Sequence, residues 1–229
     1  MLDKRKKNLA SETLSDLLGE WHVLAEQLGS PAMLCALTSA PLMPVGKRRK
    51  GLAGLRAFLQ GYYSQILVSH ELPAIFRAYT HASRSEAREL IASDCELNNK
   101  PLLRHFAWAS QYVGVSQLQR LRPLRSERLV QRYLHAVEHG QAYGWHTVVY
   151  GLVLSLYALP LRQGLLNYGR QTLRGFIMSA NHSPELATDD CEALHFELCA
   201  ALPQAVEALL NGKNGYQDLS SQPADQNGS

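Results

Sequence analysis

The sequence predicts an all-α fold, a single-domain helical bundle of about eight to ten helices. Three observations carry that prediction. Apolar residues recur at three- and four-residue steps in seven separate stretches. No stretch alternates apolar and polar residues as a half-buried strand would. With 46% hydrophobic residues in 229, the chain can bury the core of one large domain.

The first stripe is Leu14, Leu17, Leu18, Trp21, Leu24 and Leu28, stopped by Gly29, Ser30 and Pro31. Leu52, Leu55, Leu59, Tyr62 and Ile66 predict a second helix. Beyond Glu71 and Pro73, Ile75, Phe76 and Tyr79 predict a third. Four more stripes follow: Leu129, Tyr133, Leu134 and Val137; Val148, Val149, Leu152 and Leu156; Leu165, Tyr168, Thr172 and Phe176; Leu194, Leu198, Leu202 and Leu209. Ser83 stands three residues before Glu86, the spacing of a capping box, and Pro160 and Pro184 separate stripes.

The expected organisation is a basic extension over residues 1–10, a helical domain over 11–210 and a polar tail over 211–229. From Asn211 the chain has too few apolar residues to offset the entropy of ordering. No period of about 20 to 50 residues recurs, which argues against a solenoid. The basic run Lys47, Arg48, Arg49, Lys50 falls in a Pro/Gly connection.

A net charge of +3 is too small to point to nucleic acid. Four cysteines (Cys35, Cys95, Cys191, Cys199) without a CxxC pair read as reduced thiols. After Lys4, Arg5, Lys6 and Lys7 the chain lacks the apolar segment of a secretory signal, so a cytoplasmic protein is expected. The most apolar run, Val148 to Leu161, is shorter than the roughly 20 residues that span a bilayer. It is read as a core helix, with no membrane partner.

Three constellations invite chemistry. Cys191, His195 and Cys199, with Asp190 and Glu192 beside them, follow one helix at i, i+4, i+8. The outer sulfurs then lie roughly 11 Å apart and cannot share an ion whose bonds are about 2.3 Å. The row borders Leu194, Leu198 and Leu202, so core packing is preferred over a metal site. His135 and His139 share a helix face, but Glu138 is not placed as in HExxH, and a solvated face is preferred. Arg120, Arg122, Arg125, Arg128 and Arg132, near Phe106, Trp108 and Tyr112, allow an RNA-binding reading. Pro123 divides them and no RNP or KH context accompanies them. A hydrated surface or an acidic protein partner is preferred. GxxxxGK[ST], GxGxxG and GxSxG are absent from the sequence.

Three blocks carry a family resemblance. Ala82-Ser83-Arg84-Ser85-Glu86-Ala87-Arg88-Glu89-Leu90 resembles a segment typical of UreF proteins, flanked by Glu71-Leu72-Pro73 and Leu102-Leu103-Arg104. His146-Thr147-Val148-Val149-Tyr150-Gly151, then Leu159-Pro160-Leu161 and Leu165-Leu166-Asn167-Tyr168, is similar to that family's His-x-x-Val-aromatic-Gly helix and the turn after it. Pro184 with Thr188-Asp189 is similar to its Pro-Leu-Gly-Gln-Thr-Asp segment. The chain departs from the family at Pro44-Val45-Gly46 and the basic run after it, at Asn181 where a lysine is usual, at Leu186-Ala187, and in a tail with a lone Tyr216.

The resemblance implies a urease accessory protein, not an enzyme, with no cofactor and no metal ligands of its own. It would join the accessory protein UreD (UreH) to the GTPase UreG and assist nickel insertion into the urease apoprotein. It also allows a homodimer. Arg84, Glu89, Pro184, Thr188 and Asp189 are the expected partner-facing residues, being polar positions within the resembling blocks. Thr188 or Asp189 is alternatively a cap for the helix beginning near Cys191.

Overall fold

The computed structural model describes residues 51–180 and 187–212. The stripe from Leu14 to Leu28, the basic run at Lys47–Lys50, Cys35, Asn181, Pro184, Leu186 and Tyr216 lie outside the described residues.

Among the described residues the architecture is all-α, without strand. The order is α1 (Gly51–Tyr62), a π-helical segment (Tyr63–Glu71), α2 (Leu72–Ser83), α3 (Ala87–Asn98), a 3-10 turn (Pro101–Leu103), α4 (Arg104–Arg120), α5 (Arg128–Glu138), α6 (His146–Leu156), α7 (Leu161–Ala180), α8 (Thr188–Ala200) and α9 (Leu202–Gly212).

At the centre stands α6, whose residues from His146 to Leu154 are all buried. It packs on α2, α3, α4 and α7. The reading of this apolar run as a core helix therefore holds. Gly151 sets its crossing with α2, because a Cβ there would come 2.5 Å from the Ile75 carbonyl oxygen and 2.7 Å from Ala78 Cβ. The α7 stripe is also met, with Leu165, Tyr168, Thr172 and Phe176 all buried.

Two α-helices, α1 and α2, carry the second and third stripes as expected, with Ile66 in the π segment between them. No loop separates the second and third stripes, for the helix runs on through the π segment. Within that segment the register widens: the Leu72 amide donates to Leu67 O, five residues back, and the Ser69 hydroxyl donates to Ser64 O at 2.6 Å. Proline interrupts an α-helix because it lacks an N–H and clashes with the carbonyl four residues earlier, and the wider turn relieves both constraints.

The proposed capping box is not formed. Ser83 closes α2, its hydroxyl donating to Thr80 O at 2.9 Å, and no side chain caps α3. The Glu86 carboxylate instead meets His81 Nδ1 at 2.8 Å. The chain reverses through Ser85 in the left-handed region (φ 57°), with Glu86 N donating to His81 O and Ser85 N to Ala82 O. This is a Schellman closure, in which a left-handed residue lets two amides reach back to otherwise unsatisfied carbonyls.

The same closure ends α5 at Gly140 (φ 69°) and α6 at Ala158 (φ 52°). The last stripe is two helices, interrupted at Ala201 just before Pro203. The final helix extends through Gly212, two residues beyond the expected domain limit.

Candidate partner-binding surface

Arg84 and Glu89 are both exposed, on the turn into α3 and on its first turn. The closure at Ser85 and the His81–Glu86 ion pair hold the segment between them. Thr188 and Asp189 are exposed in the first turn of α8, where Asp189 and Asp190 complement the positive end of the helix dipole. The capping role weighed for them is not what the helix shows: Ala187 occupies the cap position, and no side-chain cap hydrogen bond forms. Pro184 cannot be placed beside them.

The three constellations of the sequence are each accounted for. Cys191 is buried in the core with Leu194 and Leu198. His195 Nε2 lies 3.2 Å from the Arg170 carbonyl oxygen, which calls for a proton on that nitrogen and leaves it no lone pair for a metal. Cys199 Sγ sits 3.3 Å from the same nitrogen. Burial pushes the Cys199 thiol up to about 11, raises that of Cys191 and lowers the basicity of His195. Neutral packing groups result.

His135 and His139 are exposed, ring to ring at 3.8 Å, and His139 Nδ1 lies 2.8 Å from the His135 carbonyl oxygen. Glu138 is engaged by Arg122. Among the described residues no group of three or more His, Cys, Asp or Glu side chains is placed to hold a metal ion. The five arginines are exposed around the α4–α5 connection.

Two buried carboxylates were not singled out from the sequence. Asp94 on α3 accepts hydrogen bonds from the Tyr133 hydroxyl (2.8 Å) and from the backbone amides of Tyr143 (2.5 Å), Gly144 (3.1 Å) and Trp145 (2.8 Å). It ties the loop ahead of α6 to α3. Burial raises its carboxyl, and these donors oppose the rise. Glu71, at the end of the π segment, accepts from the Tyr62 hydroxyl at 2.6 Å, and burial pushes it up to about 7. Neither falls in a stripe read from the sequence, where Glu71 was noted only beside Pro73 and within a resembling block.

The described residues form an all-α bundle whose buried carboxylates are held by neighbouring donors and whose polar segments at Arg84–Glu89 and Thr188–Asp189 are exposed. The UreF family model matches residues 50–198, more than half of the chain. The chain belongs to the UreF family, the urease accessory proteins that its three blocks resemble. No curated protein matches it.

Proposed function

We propose that the protein serves urease maturation by joining the accessory protein UreD (UreH) to the GTPase UreG, assisting nickel insertion into the urease apoprotein. The match to the UreF family over residues 50–198 carries this reading. The exposure of Arg84, Glu89, Thr188 and Asp189 within the resembling blocks supports it at the surface. Pro184, outside the described residues, is proposed as partner-facing on the resemblance alone. Nickel and nucleotide are handled by the partners, and this chain contributes helix faces whose specificity comes from a few anchor side chains. The reading places the work in the cytoplasm and allows a homodimer.

The test is capture of UreD and UreG by the full chain, by a variant with Arg84→Ala and Glu89→Ala, and by Asp189→Ser. All three positions are exposed, so thermal stability should stay within about 0.5 kcal/mol of the parent. Capture of at least one partner should fall in each variant. Unchanged capture by both would reject the surface assignment, and failure of the parent chain to capture either partner would reject the bridging role.

A further inference from the structure

Positive charge and exposed apolar side chains are concentrated in one stretch of this chain. Between residues 101 and 145 the chain carries six arginines (Arg104, Arg120, Arg122, Arg125, Arg128, Arg132) and two acids (Glu127, Glu138), a formal +4 against +3 for the entire chain. All six arginines are exposed. The same stretch holds Leu102, Trp108, Tyr112 and Tyr143, four of the five large hydrophobic side chains exposed among the described residues. Trp108 is 65% exposed and Tyr112 is 56% exposed.

Tertiary contacts fix these groups in place. Gln131 Nε2 donates to the carbonyl oxygens of Arg122 (3.2 Å) and Leu124 (3.0 Å), which fastens the α4–α5 connection to α5. Arg122 pairs with Glu138 across the same junction, so that of the two acids in the stretch one is engaged there and Glu127 stands among the arginines. Arg128, Arg132 and His135 on α5, with His139 at its C-cap, follow at i, i+4, i+7, i+11 and are all exposed. Gly114 on α4 abuts the backbone of Gly144, and a Cβ on Gly144 would come 2.7 Å from Val115 Cγ2. The Tyr143 amide is held by Asp94, and the next residue, Gly144, packs on α4 at Gly114.

We propose that the α4–α5 surface is a docking face for a protein that presents carboxylates around an apolar side chain. It shares no residue with the Arg84–Glu89 and Thr188–Asp189 segments. Trp, Tyr and Arg are the side chains that most often anchor protein interfaces. A field of one sign over them steers an oppositely charged partner and fixes its register. The rings of Trp108 and Tyr112 stack on each other at 5.8 Å and 20°. That contact removes one face of each ring from the base stacking by which a single strand is gripped, which favours a protein over RNA.

Fluorescently labelled random Glu–Tyr copolymer serves as the acidic, aromatic probe, and a single-stranded oligoribonucleotide of similar charge as the competitor class. Both are titrated by anisotropy against the full chain at two salt concentrations. The copolymer should bind, weaken with salt, and lose about tenfold or more in affinity with Arg128→Glu plus Arg132→Glu and, separately, with Trp108→Ala. Arg128→Gln plus Arg132→Gln gives a milder variant should the charge reversal disturb folding, and Arg84→Ala plus Glu89→Ala should leave affinity unchanged. Three outcomes would overturn the proposal: undiminished binding by Trp108→Ala, equal loss in the Arg84/Glu89 control, or tighter binding of the oligoribonucleotide through the same residues. None of them bears on the urease role, whose test uses different residues and partners.

Discussion

Glu71 shows how a single residue couples this fold to pH. Its carboxyl is taken into an apolar core, which raises it from 4.5 to about 7, while hydrogen bonds from Tyr62 and Tyr168 pull it partway back. Between those two values the unfolded chain has released the proton and the folded chain retains it. The contribution of Glu71 to stability is thus fully present below pH 4.5 and is lost as pH rises through 7. The difference amounts to about 3 kcal/mol. Glu71→Gln, which stays neutral and can still accept from Tyr62, should gain about that much relative to the parent between acid and mildly alkaline pH. Urea denaturation midpoints at both ends check it, and a pH-independent difference would contradict it. The cysteines give a second expectation. Among the described residues Cys95, Cys191 and Cys199 form no disulfide with one another, and burial raises their thiols, that of Cys199 to about 11. Because the thiolate is the reactive form, alkylation without reductant should modify all three, slowly near neutral pH and faster as pH rises. Mass spectrometry should find Cys199 labelled slowly, and rapid labelling of Cys199 at neutral pH would refute this assignment. That these three form no disulfide with one another was readable from their spacing. The perturbed acidities were not, since they depend on which distant side chains surround each group.

At the scale of the element, periodicity located helices well and boundaries less well. Stripes such as Leu165, Tyr168, Thr172 and Phe176 mapped directly onto buried faces, because burial follows one side of a regular helix. α3 and α4 carry no such stripe, for α3 buries Asp94 and α4 buries Ser110 and Gln117 among their apolar residues. The junctions took forms that spacing does not signal: a π register that carries Pro73, and left-handed Ser85 and Ala158 where glycine would be the readable signal. Gly151, noticed in the sequence only as part of a resembling block, has a physical reason in the approach of α6 to α2. Gly151→Ala should therefore destabilise the protein by about 1–3 kcal/mol through overpacking. Gly61→Ala on α1, with nothing within 4 Å of the added methyl, should instead stabilise it by about 0.5–1 kcal/mol through helix propensity. Thermal denaturation of the two variants measures the contrast, and equal shifts would show that the α2–α6 crossing is not tight.

For the molecule as a whole, one hydrophobic cluster includes residues from each of the nine α-helices described, from Leu55 on α1 to Val206 on α9. Helices that share one core have little to hold them when their neighbours melt, so unfolding should be a single cooperative transition. Far-ultraviolet circular dichroism should show helix without appreciable strand and should lose it at the same denaturant concentration at which buried Trp145 becomes solvated. Two separated transitions would disprove the single core. The sequence by itself determined the helical class, the central place of the Val148 stretch and, through its three blocks, membership in the UreF family. Each of these rests on local order along the chain: apolar spacing and short runs of residue types. Only the tertiary structure decided that Asp94 binds the loop before α6, that Glu71 titrates near neutrality, and that the arginines on either side of Pro123 are all exposed, as Trp108 and Tyr112 are. Such features are set by which distant segments meet and which side chains lose water when they do, and neither quantity is written in the spacing of residues along one chain.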